Sequence, residues 1–281
     1  MLGLRPVFVD VRPDTFNLDP EELDKAISDR TRAIIPVHLF GQCAAMEMIM
    51  EKARAYGLYV IEDNAQALGA DYLFADGSRH KAGTMGHVGC TSFFPSKNLG
   101  AFGDGGAIFT NDESLGRRMA SLVNHGMQVR YYYDHVGVNS RLDTLQAAIL
   151  RVKLQNLEDY HRRRQEAARW YDSSLRDVEG LQVPVRSSFS THIFHQYTLL
   201  VGAKIRDELM QYLQKQGIPS QVYYPLPLHL QRAYKYLAYH TGDFPVSEDL
   251  CKRVLSIPMH TELDQEQLAY ISEQIKDFFK S

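Results

Sequence analysis

The feature that most constrains this chain is a regular alternation. Short β-rich runs, each about the length of one strand, are separated by segments with helical spacing of apolar residues. Runs at residues 7–11, 33–37, 59–62, 90–94 and 107–110 read as strands. Residues 20–28, with Asp19 as N-cap, and 44–56 read as helices between them, and 115–124 as another helix after the last. That order is the signature of a mostly parallel sheet with crossover helices, an α/β architecture. Residues 143–175 contain neither Gly nor Pro, and Leu145, Ala148, Ile149, Val152, Leu154 and Leu157 set an apolar stripe at helical spacing. The spacing predicts one long helix there. Beyond it a strand is expected at 193–201, a helix at 204–216, a strand at 220–223 and an amphipathic helix at 265–279. The expected division is a large domain at 1–142, N-terminally incomplete, and the long connecting helix with a small α+β domain at 143–281.

Composition narrows the function classes. A chain of 281 residues with 44% hydrophobic and 23% charged residues is ordinary for a globular protein. A net charge of -3 argues against nucleic-acid binding through a broad basic face. The three cysteines, Cys43, Cys90 and Cys251, form no CxxC pair and suit a cytoplasmic setting. No apolar run reaches membrane-spanning length. The first residues run directly into the run at 7–11, so the sequence reads as if it starts inside a fold.

Two positions carry chemistry. Asp63 follows the apolar run Leu58-Tyr59-Val60-Ile61, and Lys97 follows Phe93-Phe94-Pro95. Open α/β sheets bind ligands at the carboxyl ends of their strands, where both fall. An amine and an acid so placed suit pyridoxal 5'-phosphate (PLP) chemistry: the amine forms a Schiff base and the acid keeps the pyridine nitrogen protonated. Asp63 fits a helix N-cap as well, Gln66 fits the far end of a capping box, and Lys97 fits a solvated loop. Ser92 and Ser96 flank the lysine, and a hydroxyl there suits a phosphate. The run Gly100 to Gly106 matches neither dinucleotide nor P-loop fingerprints and reads as a turn between strands. Tyr131-Tyr132-Tyr133, beside Arg130 and His135, suits a nucleotide site or an interface patch. His192 and His195 have metal-like spacing without Cys or acidic partners, so they read as structural and no metal is expected.

Several blocks together resemble the DegT/DnrJ/EryC1/StrS family of sugar aminotransferases. They are Val7-Phe8-Val9-Asp10, Ile34 to Gln42, Ile61 to Ala67, Ser92 to Leu99, Gly105-Gly106-Ala107, Gly137 to Asp143 and Tyr224 to His229, in the family's order. The resemblance implies a fold-type-I PLP-dependent transferase. It implies Lys97 as the Schiff-base lysine, Asp63 as the pyridinium partner, Gln66 as a ring contact and Ser92 as a phosphate ligand. Asn139 would reach the phosphate of the neighbouring subunit in a homodimer, although from its own context it is simply a turn residue. Arg141, Tyr224 and His229 match positions near a sugar-nucleotide substrate. The family also has a segment upstream of Pro6 that supplies a phosphate-binding helix N-terminus and a ring-stacking aromatic. Neither is visible here, so the sheet is expected to expose an edge and this chain alone to bind PLP weakly or not at all.

The implied reaction is a ping-pong transamination in the cytoplasm. An amino acid, glutamate by resemblance, donates to a keto group of a nucleotide-linked sugar, with Lys97 as the base for proton transfer. C3 and C4 amination stay open. Three alternatives are weighed against it. One is an inactive fragment or interaction module, another a PLP-dependent sugar dehydratase, in which histidine replaces the lysine. The third is a desulfurase, which wants a cysteine on a mobile loop.

Overall fold

The computed structural model describes residues 3–280, so Met1 and Leu2 at the start of the chain lie outside the described residues. A 3-10 turn at Pro20–Glu22 opens the first helix, α1 (Leu23–Ala26), and Asp19 caps the turn by accepting from Glu21 N at 3.1 Å. Strand β1 (Ala33–Ile34) leads through a tight turn to α2 (Met46–Tyr56). Met46, Ile49 and Ala53 of α2 face the core, and Gly57 ends it in the left-handed conformation. Then come β2 (Tyr59–Asp63), the hairpin β3 (Asp71–Leu73) and β4 (Arg79–Lys81), and β5 (Val88–Ser92) with β6 (Gly106–Phe109). Helix α3 (Glu113–Val123) is capped by Asp112, which accepts from Ser114 N and Leu115 N. An exposed ribbon, β7 (Met127–Val129) and β8 (Tyr132–Tyr133), precedes α4 (Thr144–Leu154) and α5 (Leu157–Leu175). The remainder is β9 (Leu181–Gln182), β10 (Tyr197–Val201), α6 (Arg206–Lys215), α7 (Pro245–Arg253), β11 (Val254–Ile257) and α8 (Gln265–Lys280).

The main sheet runs β1-β2-β5-β6. Its first two pairings are parallel and the last antiparallel. A second, antiparallel sheet has the order β11-β10-β9. One apolar core lies around α2, β1 and β2. A second packs α5, α6 and α8 on the antiparallel sheet. Phe93, Leu99 and Ala101 join Leu150 of α4 and Leu157 of α5 in a third.

Alternation along the main sheet decides what faces what. Val60, Glu62, Gly89 and Thr91 point into the buried face. Tyr59, Ile61, Asp63, Val88, Cys90, Ser92 and Ile108 share the other face, which is only partly covered. Tyr59 is 60% exposed, Ile108 48%, and Ile35 beyond β1 59%. Asp63 and Ser92 therefore stand on a half-open apolar sheet face at its carboxyl end.

Four expected elements differ. Residues 7–11 are extended but form no strand. Val7 is exposed, and only Val11 makes a bridge, to Leu18. The Asp10 carboxylate instead accepts from Val246 N and Ser247 N at 2.9 Å each, so this segment caps the start of α7. The long helix breaks at Gln155 and Asn156. The Asn156 amide bonds back to Val152 O at 3.2 Å, a local alternative to the helical ladder. Residues 193–196 peel away from β10 to bond other loops, and residues 220–223 keep only the Gln221–Ser256 bridge.

Candidate active site

Asp63 ends β2, locked by Asp63 N donating to Pro36 O and His38 N donating to Asp63 O, both at 2.9 Å. Its Oδ1 accepts from Ala65 N at 3.0 Å, and Oδ2 has no hydrogen-bond partner among the described residues. No helix follows, since residues 65–69 form turns, so Asp63 is not a helix cap. Gln66 does not close a capping box either. Its Oε1 accepts from Phe40 N at 2.6 Å, and its Nε2 donates to Tyr224 Oη at 3.3 Å.

Lys97 sits on the connection between β5 and β6, in a turn closed by Lys97 N donating to Phe94 O at 2.9 Å. Its amine is half-buried and makes no ion pair or hydrogen bond among the described residues. Burial lowers its pKa below the ordinary lysine value, partly opposed by the charge of Asp63. Ser92 Oγ, at the end of β5, accepts from Phe94 N at 3.2 Å and keeps its own proton to donate.

The remaining expected residues are spread more widely. Asn139 is exposed and forms a bridge with Asn124 at the base of the β7–β8 ribbon. Arg141 is exposed a few residues on. Tyr224 reaches Gln66 and so joins the Asp63 region. His229 does not project into an open crevice: it is 4% exposed, and its Nε2 pairs with Glu248 Oε1 at 3.0 Å against the ring of Phe244. The Tyr131, Tyr132 and Tyr133 side chains are all exposed, with the Arg130 guanidinium over the Tyr131 ring. His192 stacks on Phe194 at 3.9 Å and accepts from its N–H. No group of three or more potential metal ligands occurs among the described residues. Cys43 is buried and its thiol is pushed up to about 12 by that burial. Cys90 lies in β5 beside Asp63, and Cys251 in α7. Cys43 stands on the connection before α2 but is fully buried there, and the other two lie in regular elements.

Sequence reasoning missed the support beneath Asp63. Glu62 points to the opposite face, where its side chain and that of His38 are fully buried. Glu62 Oε2 accepts from His38 Nε2 at 2.8 Å and Gly83 N at 2.7 Å, and Oε1 from Met85 N at 2.7 Å and Gly86 N at 2.5 Å. His38 Nδ1 accepts from Ala44 N at 3.1 Å, so the proton shared with Glu62 is on Nε2. Burial acts to raise the Glu62 pKa, but the His38 bond and the backbone donors outweigh it, and the net shift is downward. The available signal was strand alternation, which turns Glu62 inward whenever Asp63 faces out.

An amine without a partner, a carboxylate oxygen left open and a hydroxyl donor at one sheet end match the needs of an aldehyde, a pyridine nitrogen and a phosphate. The donor set fits PLP, and the class defined is a sheet-end cofactor enzyme of α/β type. The chain belongs to the DegT/DnrJ/EryC1/StrS aminotransferase family, whose sequence model matches residues 1–276. It is 45% identical over 280 residues to a pleiotropic regulatory protein of Geobacillus stearothermophilus, covering 99% of this chain and 73% of the relative. It is also 45% identical over 271 residues to the UDP-2-acetamido-2-deoxy-3-oxo-D-glucuronate aminotransferase of Pseudomonas aeruginosa, covering 96% and 72%. Among solved structures, a DegT DnrJ EryC1 StrS aminotransferase from Brucella abortus superposes with a TM-score of 0.92 at 42% identity. That match covers all of this chain and 75% of the other.

Proposed function

We propose that this chain is a PLP-dependent aminotransferase that moves an amino group from an amino acid, glutamate by resemblance, to a keto group of a nucleotide-activated sugar, serving amino-sugar and surface-polysaccharide synthesis in the cytoplasm. The observation that carries the reading is the half-buried, unpaired Lys97 amine on the same sheet end as Asp63 and Ser92. Family membership and the named activity of the Pseudomonas relative support it. Among the described residues no helix is long and apolar enough to cross a membrane.

Lys97, Asp63, Gln66 and Ser92 would hold PLP, joined by Asn139 from the partner subunit of a homodimer. When bound, PLP supplies an electron sink that lets an amino group change carriers. Lys97 Nζ, with its lowered pKa, offers more free amine near neutral pH than an exposed lysine and serves as the base that moves the proton. The Asp63 carboxylate would keep a ring nitrogen protonated. Ser92 would donate its hydroxyl to the phosphate, and Gln66, fixed by Phe40 N, would offer its amide to the ring. Arg141 and Tyr224 bind the sugar nucleotide, and His229, tied to Glu248, shapes the loop after Tyr224. The division at 142/143 is part of the same proposal, supported by separate cores around the main sheet and around the antiparallel sheet.

The test is incubation with PLP, nitrogen-15 glutamate and a UDP- or dTDP-linked keto sugar. The proposal expects the label in an amino sugar and its absence with Lys97→Ala. No amino sugar with either protein across these substrates overturns it and favours an interaction module.

A further inference from the structure

One buried histidine remains outside the chemistry described so far. His195 is 6% exposed and lies in the segment between α5 and β10 that peels away from the strand. Its Nδ1 is 3.2 Å from Asn98 Oδ1, and Asn98 Nδ2 donates to Ile193 O at 3.2 Å. With the Asn98 amide nitrogen committed to Ile193, its oxygen must accept, so His195 Nδ1 carries the proton. Asn98 is 9% exposed and is the immediate neighbour of Lys97. Both polar ends of its side chain are thus pinned to one segment, about a hundred residues away in the chain.

That segment is itself held from three sides. Ile193 N donates to Gly41 O at 2.9 Å, and Gln196 N to Phe40 O at 3.3 Å. Gly41 permits this approach. It has φ +108, and a Cβ there would lie 2.9 Å from both Phe194 N and His195 N. Arg164 of α5, 8% exposed, donates to Phe194 O at 2.9 Å and Met259 O at 3.0 Å, with no acidic partner among the described residues. The same stretch therefore touches the loop that orients Gln66, through Phe40, and the loop that carries Lys97, through Asn98.

We propose that His195 is a positioning residue for Lys97, acting through Asn98 to hold the lysine loop against the segment before β10. The proposal rests on the reading of Lys97 as the cofactor lysine. The Asn98 bond requires a proton on His195 Nδ1, which the neutral Nδ1–H tautomer supplies. Burial, then the charges of Lys97 and Arg164, push His195 down to about 3, which keeps it neutral. Asp63 is the charge that acts on Lys97 and favours its charged form, while Lys97 and Arg164 are the charges that act on His195. Releasing Asn98 lets the loop open and the Lys97 amine regain water, which moves its pKa back toward 10.5.

The test reads that amine in the protein without cofactor. The rate of arylation of Lys97 is followed against pH by peptide mass spectrometry, with Lys25, exposed and on a distant element, as internal reference. In the wild type the apparent pKa of Lys97 lies below the ordinary lysine value. With His195→Leu it rises toward the ordinary lysine value, so the rate of Lys97 arylation at neutral pH falls several-fold relative to that of Lys25. With His195→Asn, whose amide can donate in place of Nδ1, most of the shift is reversed. Thermal unfolding reports whether each variant is folded, and if His195→Leu is not, Asn98→Ala is read the same way. A folded variant lacking the contact whose Lys97 pKa equals that of the wild type overturns the proposal. Because no cofactor is present, failure of Lys97 to take PLP leaves this readout intact, so the two ideas fail separately.

Discussion

Replacing Glu62 by Gln tests the support beneath the site. Four N–H groups share the two carboxylate oxygens, two on each, and the side chain is fully buried. Gln keeps one oxygen and turns an NH2 group toward the other pair of donors. Two buried donors lose their acceptor, at about 1–3 kcal/mol each. His38 is neutral, so the carboxylate loses charge-assisted hydrogen bonds rather than an ion pair. The expected loss is therefore about 2–6 kcal/mol, a large part of the roughly 5–15 kcal/mol that folded chains have. Urea unfolding at neutral pH, followed by circular dichroism and by the fluorescence of Trp170, measures it. The pH dependence has a definite sign. Because the folded pKa of Glu62 lies below the ordinary 4.5, the unfolded chain binds more protons just below that pH. The wild-type advantage is complete above 4.5 and shrinks as pH falls through the folded value. A loss under about 1 kcal/mol, or an advantage that grows on acidification, refutes the argument.

Other outcomes follow from the same geometry. Gly41→Ala places a Cβ 2.9 Å from two backbone nitrogens at φ +108, so it should cost at least about 2 kcal/mol, seen as a fall in unfolding midpoint. Tyr224→Phe removes one 3.3 Å bond at a residue that is 52% exposed. Stability should change by less than about 0.5 kcal/mol, while KM for the sugar nucleotide rises. The half-open sheet face should bind a fluorescent apolar dye and favour concentration-dependent association, and Tyr59→Lys with Ile108→Lys should reduce both, read by fluorescence and light scattering.

Much of this site was legible along the chain because its parts are local. One apolar run placed Asp63 at the end of a strand, and a second placed Lys97 just past another. The parallel pairing of β1 and β2 follows from the helix α2 between them, whereas β2 and β5 are joined through the β3–β4 hairpin with no helix between. What the sequence hid is long-range. The His38–Glu62 pair spans 24 positions, and His195–Asn98 spans 97. Residues 7–11 have strand-like composition, yet the carboxylate of Asp10 is taken by the start of α7. The helix expected over 143–175 contains no Gly or Pro, and its break depends on one Asn bonding backward. His229 lies in a family block beside Tyr224, but its ring is committed to Glu248, a partner that only the folded loop brings near.

The most direct test of the central claim is to add PLP at millimolar concentration, reduce with borohydride and map the labelled peptide. The account predicts a phosphopyridoxyl group on Lys97 in excess over every other lysine, and its loss with Lys97→Ala. Label spread evenly over exposed lysines such as Lys25 and Lys81, with none favouring Lys97, would contradict it.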